Sequence, residues 1–251
     1  MFKRDVIRIA REAGAAIMRV KQEHSLQIST KADESPVTQA DLAAHHVIVD
    51  ALRKLATTYP VISEECCDIS WSQRKNWHRY WLVDPLDGTQ EFIKGNDEFS
   101  VNIALIEQGV PILGVVYAPA LDDLYYGERD VGAELNGQSI TAVTRVPETL
   151  RVMISRSHPS EETLTWLEQL TVPYETIAVG SALKLCWIAA GKADLYPRLG
   201  PTSEWDIAAG QAVLLSAGGV VNKINGEPLR YNQKESFLNP SFIAKTRAYV
   251  I

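Results

Sequence analysis

Trp81-Leu82-Val83-Asp84-Pro85-Leu86-Asp87-Gly88-Thr89 is the stretch on which the reading of this chain turns. An apolar run beginning at Tyr80 leads straight into two aspartates three residues apart, divided by a proline and closed by Gly-Thr. Such a run reads as a buried strand. It carries Asp84 into a site and stops. Pro85 fixes a turn, the Leu86 carbonyl is left without a ladder partner, and Asp87 swings back toward Asp84. Carboxylate, carbonyl and water oxygens suit hard cations. A hydroxyl beside such ions is the usual apparatus for hydrolysing a phosphate ester.

Upstream, Val61-Ile62 is a short buried strand ending at Ser63-Glu64-Glu65, and the polar, aromatic residues 66–79 read as a surface excursion. Phe2, Val6, Ile9, Ala13, Ile17 and Val20 recur at helical spacing over 2–22, and a second helix runs from about Gln39 to Ala56. Residues 25–36 form a loop or short hairpin. Gly88 and Thr89 begin a short helix through Ile93 whose free N–H groups favour a phosphate. Downstream, strands are expected near 99–106, 111–118, 123–127 and 131–135, and Asn136-Gly137 is a hairpin turn. From Val152 the texture changes to shorter alternating units. A strand ends at Ser155-Arg156-Ser157-His158, followed by helices near 160–170 and 181–190, strands near 174–179 and 193–197, a helix over 205–217 and a hairpin around Asn225-Gly226. Two halves result, 1–150 and 151–251, and the cleft between them is the default ligand site.

The bulk numbers are those of an ordinary globular chain: 251 residues, 46% hydrophobic and 22% charged. A net charge of −6 disfavours a nucleic-acid polymer as partner. It leaves room for a small anionic substrate, since bound divalent cations reverse the local field. Cys66, Cys67 and Cys186 form no metal or redox spacing, which fits a reducing compartment. No apolar run approaches the roughly 20 residues that span a bilayer, and the charged N-terminus has no signal-peptide core.

Five acids stand out: Asp41, Glu64, Asp84, Asp87 and Asp206. Each has an ordinary explanation. Thr38…Asp41 and Ser203…Asp206 are capping-box patterns, Asp84-Pro85 and Asp87-Gly88 are turn dipeptides, and Glu64 is a loop acid. Together they weigh differently. Glu64 and Asp84 sit at the ends of apolar strands, where open sheets build sites. Asp206 opens a helix of the other half and can face the same cleft. Converging acids raise one another's pKa unless cations intervene, so Mg²⁺ or a similar ion is implied. The Thr89 hydroxyl can orient a metal-bound water, with Asp41 accepting its proton. The alternative for Thr89 is simple helix capping.

Trp81–Thr89 and Trp205-Asp-Ile-Ala-Ala-Gly210 resemble the two signatures of the inositol monophosphatase superfamily. Ile62–Glu65 and Pro36–Asp41 match its two upstream elements in the same order. Within it the chain is most similar to the CysQ-type 3′(2′),5′-bisphosphate nucleotidases, through stretches such as Glu91–Lys94, Ile154–His158, Gly180–Lys184, Tyr196–Arg198 and Ser236–Pro240. The resemblance implies an α+β, layered αβαβα sugar-phosphatase fold with two sub-domains sharing a cleft. It also implies Mg²⁺-dependent, lithium-sensitive hydrolysis of 3′-phosphoadenosine 5′-phosphate to AMP, extending to 3′-phosphoadenylyl sulfate. Carried over by position, one ion is held by Glu64, Asp84 and the Leu86 carbonyl, and a second by Asp84, Asp87 and Asp206. A third, weaker ion is reached from Glu64 and, through water, from Asp41. Gly88, Thr89, His158, Ser181, Lys184, Arg198 and Asp206 would contact the substrate. Charge agrees: a substrate with two phosphates needs cations besides metals, and Lys184 and Arg198 supply a point charge and a fork. Taken alone, Lys184 is equally a snorkelling helix lysine, Arg198 a surface arginine, His158 a satisfied loop residue and Ser181 a helix N-cap.

One residue departs from the pattern. Gln90 stands where close relatives usually have lysine, removing a positive charge beside the metal loop and bearing on substrate preference. The rival readings are an inositol or fructose phosphatase using the same metals, and a catalytically silent metal or nucleotide sensor. The expected location is cytoplasmic, with peripheral association at the inner membrane face as the open variant. Oligomeric state is not legible.

Overall fold

Two sheets and three helical layers alternate in the computed structural model, which describes residues 2–23, 28–30, 36–145, 147–157 and 160–249. Helix α1 (Lys3–Gln22) is followed by a two-stranded antiparallel pair, β1 (Ile28–Thr30) and β2 (Pro36–Thr38), and by helix α2 (Gln39–Arg53). Next come β3 (Val61–Ser63), α3 (Trp71–Arg74), β4 (Arg79–Asp87), α4 (Thr89–Ile93) and strands β5 (Ser100–Glu107), β6 (Val110–Ala118), β7 (Asp123–Glu128), β8 (Gly132–Leu135) and β9 (Gln138–Ile140). Strands β3 to β9 lie side by side in chain order as a seven-stranded sheet, parallel between β3 and β4 and antiparallel thereafter.

The second sheet has five strands in the order β11-β10-β12-β14-β13. They are β10 (Leu150–Ser155), β11 (Tyr174–Val179), β12 (Leu195–Arg198), β13 (Gly219–Lys223) and β14 (Phe242–Thr246), interleaved with α5 (Glu161–Leu167), α6 (Leu183–Ala189) and α7 (Glu204–Ser216).

Period-two alternation along β4 sorts the layers. Trp81 and Val83 point to the face covered by α1 and α2, where Val6, Ile9, Ile17, Ile48 and Leu52 complete a core. Tyr80 and Leu82 point to the other face, covered by α6 and α7 through Leu185, Ile188, Ala209 and Val213. The same core takes in Tyr196, Val221, Phe242 and Ala244 of the second sheet. Leu167 of α5 closes the far side of that sheet with Leu150, Val152 and Leu195. The sequence is helices, sheet, helices, sheet, helix: the αβαβα layering expected.

Helix α7 shows why the central layer is thin. A Cβ on Gly114 of β6 would lie 2.3 Å from the Ala209 carbonyl oxygen, and one on Gly127 of β7 would lie 2.5 Å from Val213 Cα. Only glycine lets the helix backbone rest directly on the strands. Residues 207–214 of α7 are all buried, so this stretch is apolar all round rather than amphipathic, save for Gln211, whose amide is satisfied by the Leu229 carbonyl and the Tyr231 hydroxyl.

Three expectations need correction. β4 does not stop at Asp84. It continues to Asp87 through a register shift, with Asp84 opposite Asn102 and Asp87 opposite Ser100. The excursion 66–79 is not all surface, because Arg74 is buried and Cys67, Ile69 and Trp77 pack on the core. Helix α2 ends at Arg53 rather than Ala56. The hairpin around Asn225-Gly226 forms as expected: the Lys223 N–H donates to the Glu227 carbonyl at 2.8 Å and the Leu229 N–H to the Val221 carbonyl at 3.1 Å, on the edge of β13 that β14 leaves free.

Candidate active site

Local folding rules set each acid. Thr38 caps α2, accepting the Ala40 N–H on Oγ1 at 3.1 Å. Asp41 returns the bond, its Oδ2 accepting from the Thr38 N–H at 2.8 Å and the Thr38 hydroxyl at 2.6 Å. The other oxygen, Oδ1, stands 3.1 Å from Thr89 Oγ1. Asp206 repeats the device at the start of α7, its Oδ2 accepting from the Ser203 N–H at 2.8 Å. The capping explanation therefore holds for both acids, and it does not exclude a part in the site. A capping box holds one carboxylate oxygen and fixes the rotamer, leaving the other oxygen for chemistry.

The bulge in β4 does the same for the turn. Asp84 Oδ1 accepts the Leu86 N–H at 3.0 Å. The Leu86 carbonyl turns out of the ladder, 3.1 Å from Thr89 Oγ1. Thr89 has one hydroxyl proton and two acceptors, Asp41 Oδ1 and Leu86 O, so it serves one at a time. Asp87 Oδ2 takes a bond from Asn102 Nδ2 at 3.3 Å. Glu64 follows β3 directly, and its N–H extends the parallel pairing to the Val83 carbonyl at 3.1 Å.

A cavity of about 420 Å³ brings these groups together. Glu64, Asp84, Leu86, Asp87 and Asp206 line it, with Gly88 and Thr89. Ser181, Lys184 and Arg198 line the same space. Asp41 is not on the lining; it reaches the cavity through Thr89. His158 lies outside the described residues.

The field in the cavity is sharply divided. Burial, then the charges of Glu64, Asp87 and Asp206, push the Asp84 carboxyl well above its ordinary value. Burial also pushes Asp87 up to about 6, against the pull of Lys184 and the Asn102 bond. Asp206 is raised by desolvation and then by Asp87 and Glu64. Burial raises Asp41 as well, and the Thr38 and Thr89 bonds offset part of that. Lys184 is buried, donates to the carbonyls of Ser181 at 2.6 Å and Val179 at 3.2 Å, and is lowered to about 8 by burial, with Asp87 opposing. It is not a snorkelling surface lysine. Arg198 donates to the Pro201 carbonyl at 2.7 Å. Ser181 is not the N-cap of α6: that position is Ala182, while Ser181 sits one residue earlier in the left-handed region at φ 47°.

Glu64, Asp84, Asp87 and Asp206, four of the five carboxylates on the cavity, form with the freed Leu86 carbonyl an all-oxygen donor set, the chemistry a hard divalent ion selects. Among the described residues no three His, Cys, Asp or Glu side chains form a ready-made metal cluster. The acids share one field rather than one point, and their mutual repulsion is what a bound cation would relieve. The residues therefore fit Mg²⁺.

Three neighbours were not legible as site residues. Glu91 of α4 is buried and lines the cavity; its place two residues beyond Thr89 was the available signal. Leu238 lines it too, 53% exposed, and its place in the Ser236–Pro240 stretch was the available signal. His45 stands one helical turn beyond Asp41 and contacts Ser63 Oγ through Nδ1 at 2.8 Å, beside Glu64.

Comparison with known proteins identifies the family. The model of the inositol monophosphatase family matches residues 4–249. A protein of Salmonella typhimurium named 3′(2′),5′-bisphosphate nucleotidase CysQ is 51% identical over 239 residues, covering 94% of this chain and 96% of that protein. The protein of the same name from Escherichia coli K12 gives the same identity and coverage. The crystal structure of CysQ from Bacteroides thetaiotaomicron, a bacterial member of the inositol monophosphatase family, superposes with a TM-score of 0.85 at 38% identity, covering 96% of this chain and 95% of that one. The chain belongs to the inositol monophosphatase family and has its fold.

Proposed function

We propose that this chain is a Mg²⁺-dependent, lithium-sensitive phosphatase that removes the 3′-phosphate from 3′-phosphoadenosine 5′-phosphate, giving AMP, and that also accepts 3′-phosphoadenylyl sulfate. The observation that carries the reading is the pairing, in one cavity, of an acidic oxygen set with the buried Lys184 and with Arg198. The names of the relatives at 51% identity support the same substrate class. One ion would be held by Glu64, Asp84 and the Leu86 carbonyl, and a second by Asp84, Asp87 and Asp206. A third, weaker ion would be held from Glu64 and, through water, from Asp41. Bound magnesium would supply positive charge against the phosphate and acidify a water.

The chain's own groups do the rest. Thr89 Oγ1, between Asp41 and the Leu86 carbonyl, would orient the attacking water and relay a proton toward Asp41. Burial makes Asp41 a stronger base than an exposed aspartate. Lys184 and Arg198 would hold the phosphates, with Ser181, Gly88, Asp206 and His158 as further substrate contacts. No covalent intermediate is required.

We also infer that residues 1–150 and 151–251 are sub-domains of one folding unit, because a single apolar core draws side chains from both. Among the described residues no helix is long and apolar enough to cross a membrane, and the proposed setting is the cytoplasm.

Phosphate release from 3′-phosphoadenosine 5′-phosphate, inositol 1-phosphate and fructose 1,6-bisphosphate, with and without Mg²⁺ and Li⁺, tests the reading. The nucleotide is expected to be turned over best. If it is the poorest of the three, the protein is instead a sugar or inositol phosphatase. Tight nucleotide binding without Mg²⁺-dependent hydrolysis would make it a sensor.

A further inference from the structure

Glu98 lies off the cavity wall, between the loop after β4 and the loop before α6. Its backbone carbonyl lies between two glycines from distant parts of the chain. A Cβ on Gly88, in the loop after β4, would sit 3.0 Å from the Glu98 oxygen, and a Cβ on Gly180, in the loop before α6, would sit 2.7 Å from it. Gly88 also holds a φ of 87°, a conformation side-chain-bearing residues rarely take. One peptide group thus touches both the loop that follows Asp87 and the loop that carries Ser181.

The Glu98 side chain closes the contact. Its Oε2 accepts the Gly180 N–H at 2.8 Å. Arg156 grips both carboxylate oxygens, Nε to Oε2 at 2.8 Å and Nη2 to Oε1 at 2.9 Å, and Nη2 also donates to the Ala178 carbonyl. A parallel tie runs from Ser157 Oγ to Glu91 Oε1 at 2.5 Å. Neither Glu98 nor Arg156 lines the cavity, so neither has a direct part in holding substrate.

We propose that Glu98 and Arg156 are positioning residues, a clamp that fixes the spacing between the metal loop and the Ser181 loop that leads into α6 and its Lys184. Its stability contribution is modest, because a partly exposed ion pair is worth little. Its effect is geometric. A substrate gripped at both ends binds well only if the two ends are correctly spaced, and displacement by an ångström is costly. A substrate that uses the metal loop alone is indifferent to the spacing. The proposal rests on the functional reading above only in requiring a substrate that spans both loops.

The test compares R156A, E98A and the double variant with the parent on two esters. One is whichever ester of the panel above is turned over best; the other is p-nitrophenyl phosphate, which has no second phosphate. For the spanning ester we expect KM to rise about five-fold with kcat within about two-fold, the two single variants being equal and the double variant no worse, as for residues that act as one unit. R156K should not restore KM, since lysine lacks the fork. Constants for p-nitrophenyl phosphate should stay within about two-fold. Amide exchange at 180–184 should quicken in R156A while that at 207–214 of α7 does not. Equal losses on both esters, or an unchanged KM with or without faster exchange, would overturn the clamp. Failure of the nucleotide reading shows up separately, as a different ester heading the panel. Should no ester be turned over, equilibrium binding of 3′-phosphoadenosine 5′-phosphate takes the place of KM.

Discussion

Asp84 and Lys184 face one cavity from regions built on different principles. Asp84 and Asp87 belong to a strand that pairs with β3 on one side and β5 on the other. Asp41 and Asp206 are locked by capping boxes at the starts of long helices. The acids are thus placed by main-chain hydrogen bonding, which cannot shift without unfolding a sheet or a helix. Lys184 and Arg198 point their charges at carbonyls near the turns around Ser181 and Pro201, and the loop before α6 meets the region of the metal loop across Glu98 and Glu91. The contrast assigns bond breaking to the globally fixed region and choice of ester to the locally fixed one. Changes in the first should lower kcat, and changes in the second should raise KM.

The harshest trial of that division is D84N or D87N. Either should lower kcat by about a thousand-fold or more, by removing a ligand and a charge at the reacting centre. The metal-free variant should melt no lower than the parent, because the lost charge was desolvated and repelled by its neighbours. Retention of a tenth of the turnover would break the assignment. T89A comes next, with kcat down about a hundred-fold and KM little changed, the scale of a lost proton relay. Single-turnover rates would check it. K184A should do the reverse, raising KM for the nucleotide about ten-fold, the cost of a charge-assisted hydrogen bond, with kcat nearly kept. A parallel collapse of kcat in K184A would erase the distinction between the two regions.

Smaller effects sharpen it. Q90K adds a cation beside the metal loop and should lower KM for the bisphosphate by about two-fold, in a salt-dependent way. The smallest effect concerns stability. Burial pushes the Glu98 carboxyl up, but the Arg156 and Gly180 bonds outweigh it and hold the group below its ordinary value. A depressed acid contributes stability above its unfolded value, about 4.3, and loses that contribution as pH falls through the folded value. The Tm advantage of the parent over E98A should therefore be constant near neutrality and vanish in acid.

The same contrast explains what the sequence could tell. Capping boxes at Thr38–Asp41 and Ser203–Asp206, the Asp84–Asp87 turn and the helical periodicity of 2–22 are local patterns, and they were readable because local geometry alone produces them. Whether β4 ended at Asp84 or continued through a bulge depended on Ser100 pairing with Asp87, a contact no local pattern announces. The same holds for the pairing of β14 with β13, for the burial of Arg74 among residues from 232 to 237, and for the Glu98–Arg156 pair. Glu91 was visible as an acid, but only the packing of α4 shows that it faces the cavity.

Gly114 and Gly127 admit α7 onto the sheet, and this bears on the order in which the chain is made. During synthesis β5, β6 and β7 leave the ribosome well before α7. Until α7 arrives, Ala104, Ile106, Val116, Ala118 and Tyr125 present an apolar sheet face that lacks the helix destined to cover it. A nascent chain halted there exposes the kind of surface on which intermediates aggregate. The segment that shields the first sheet is also the one that delivers Asp206, so assembly of the acids and protection of the nascent sheet are completed in one docking step.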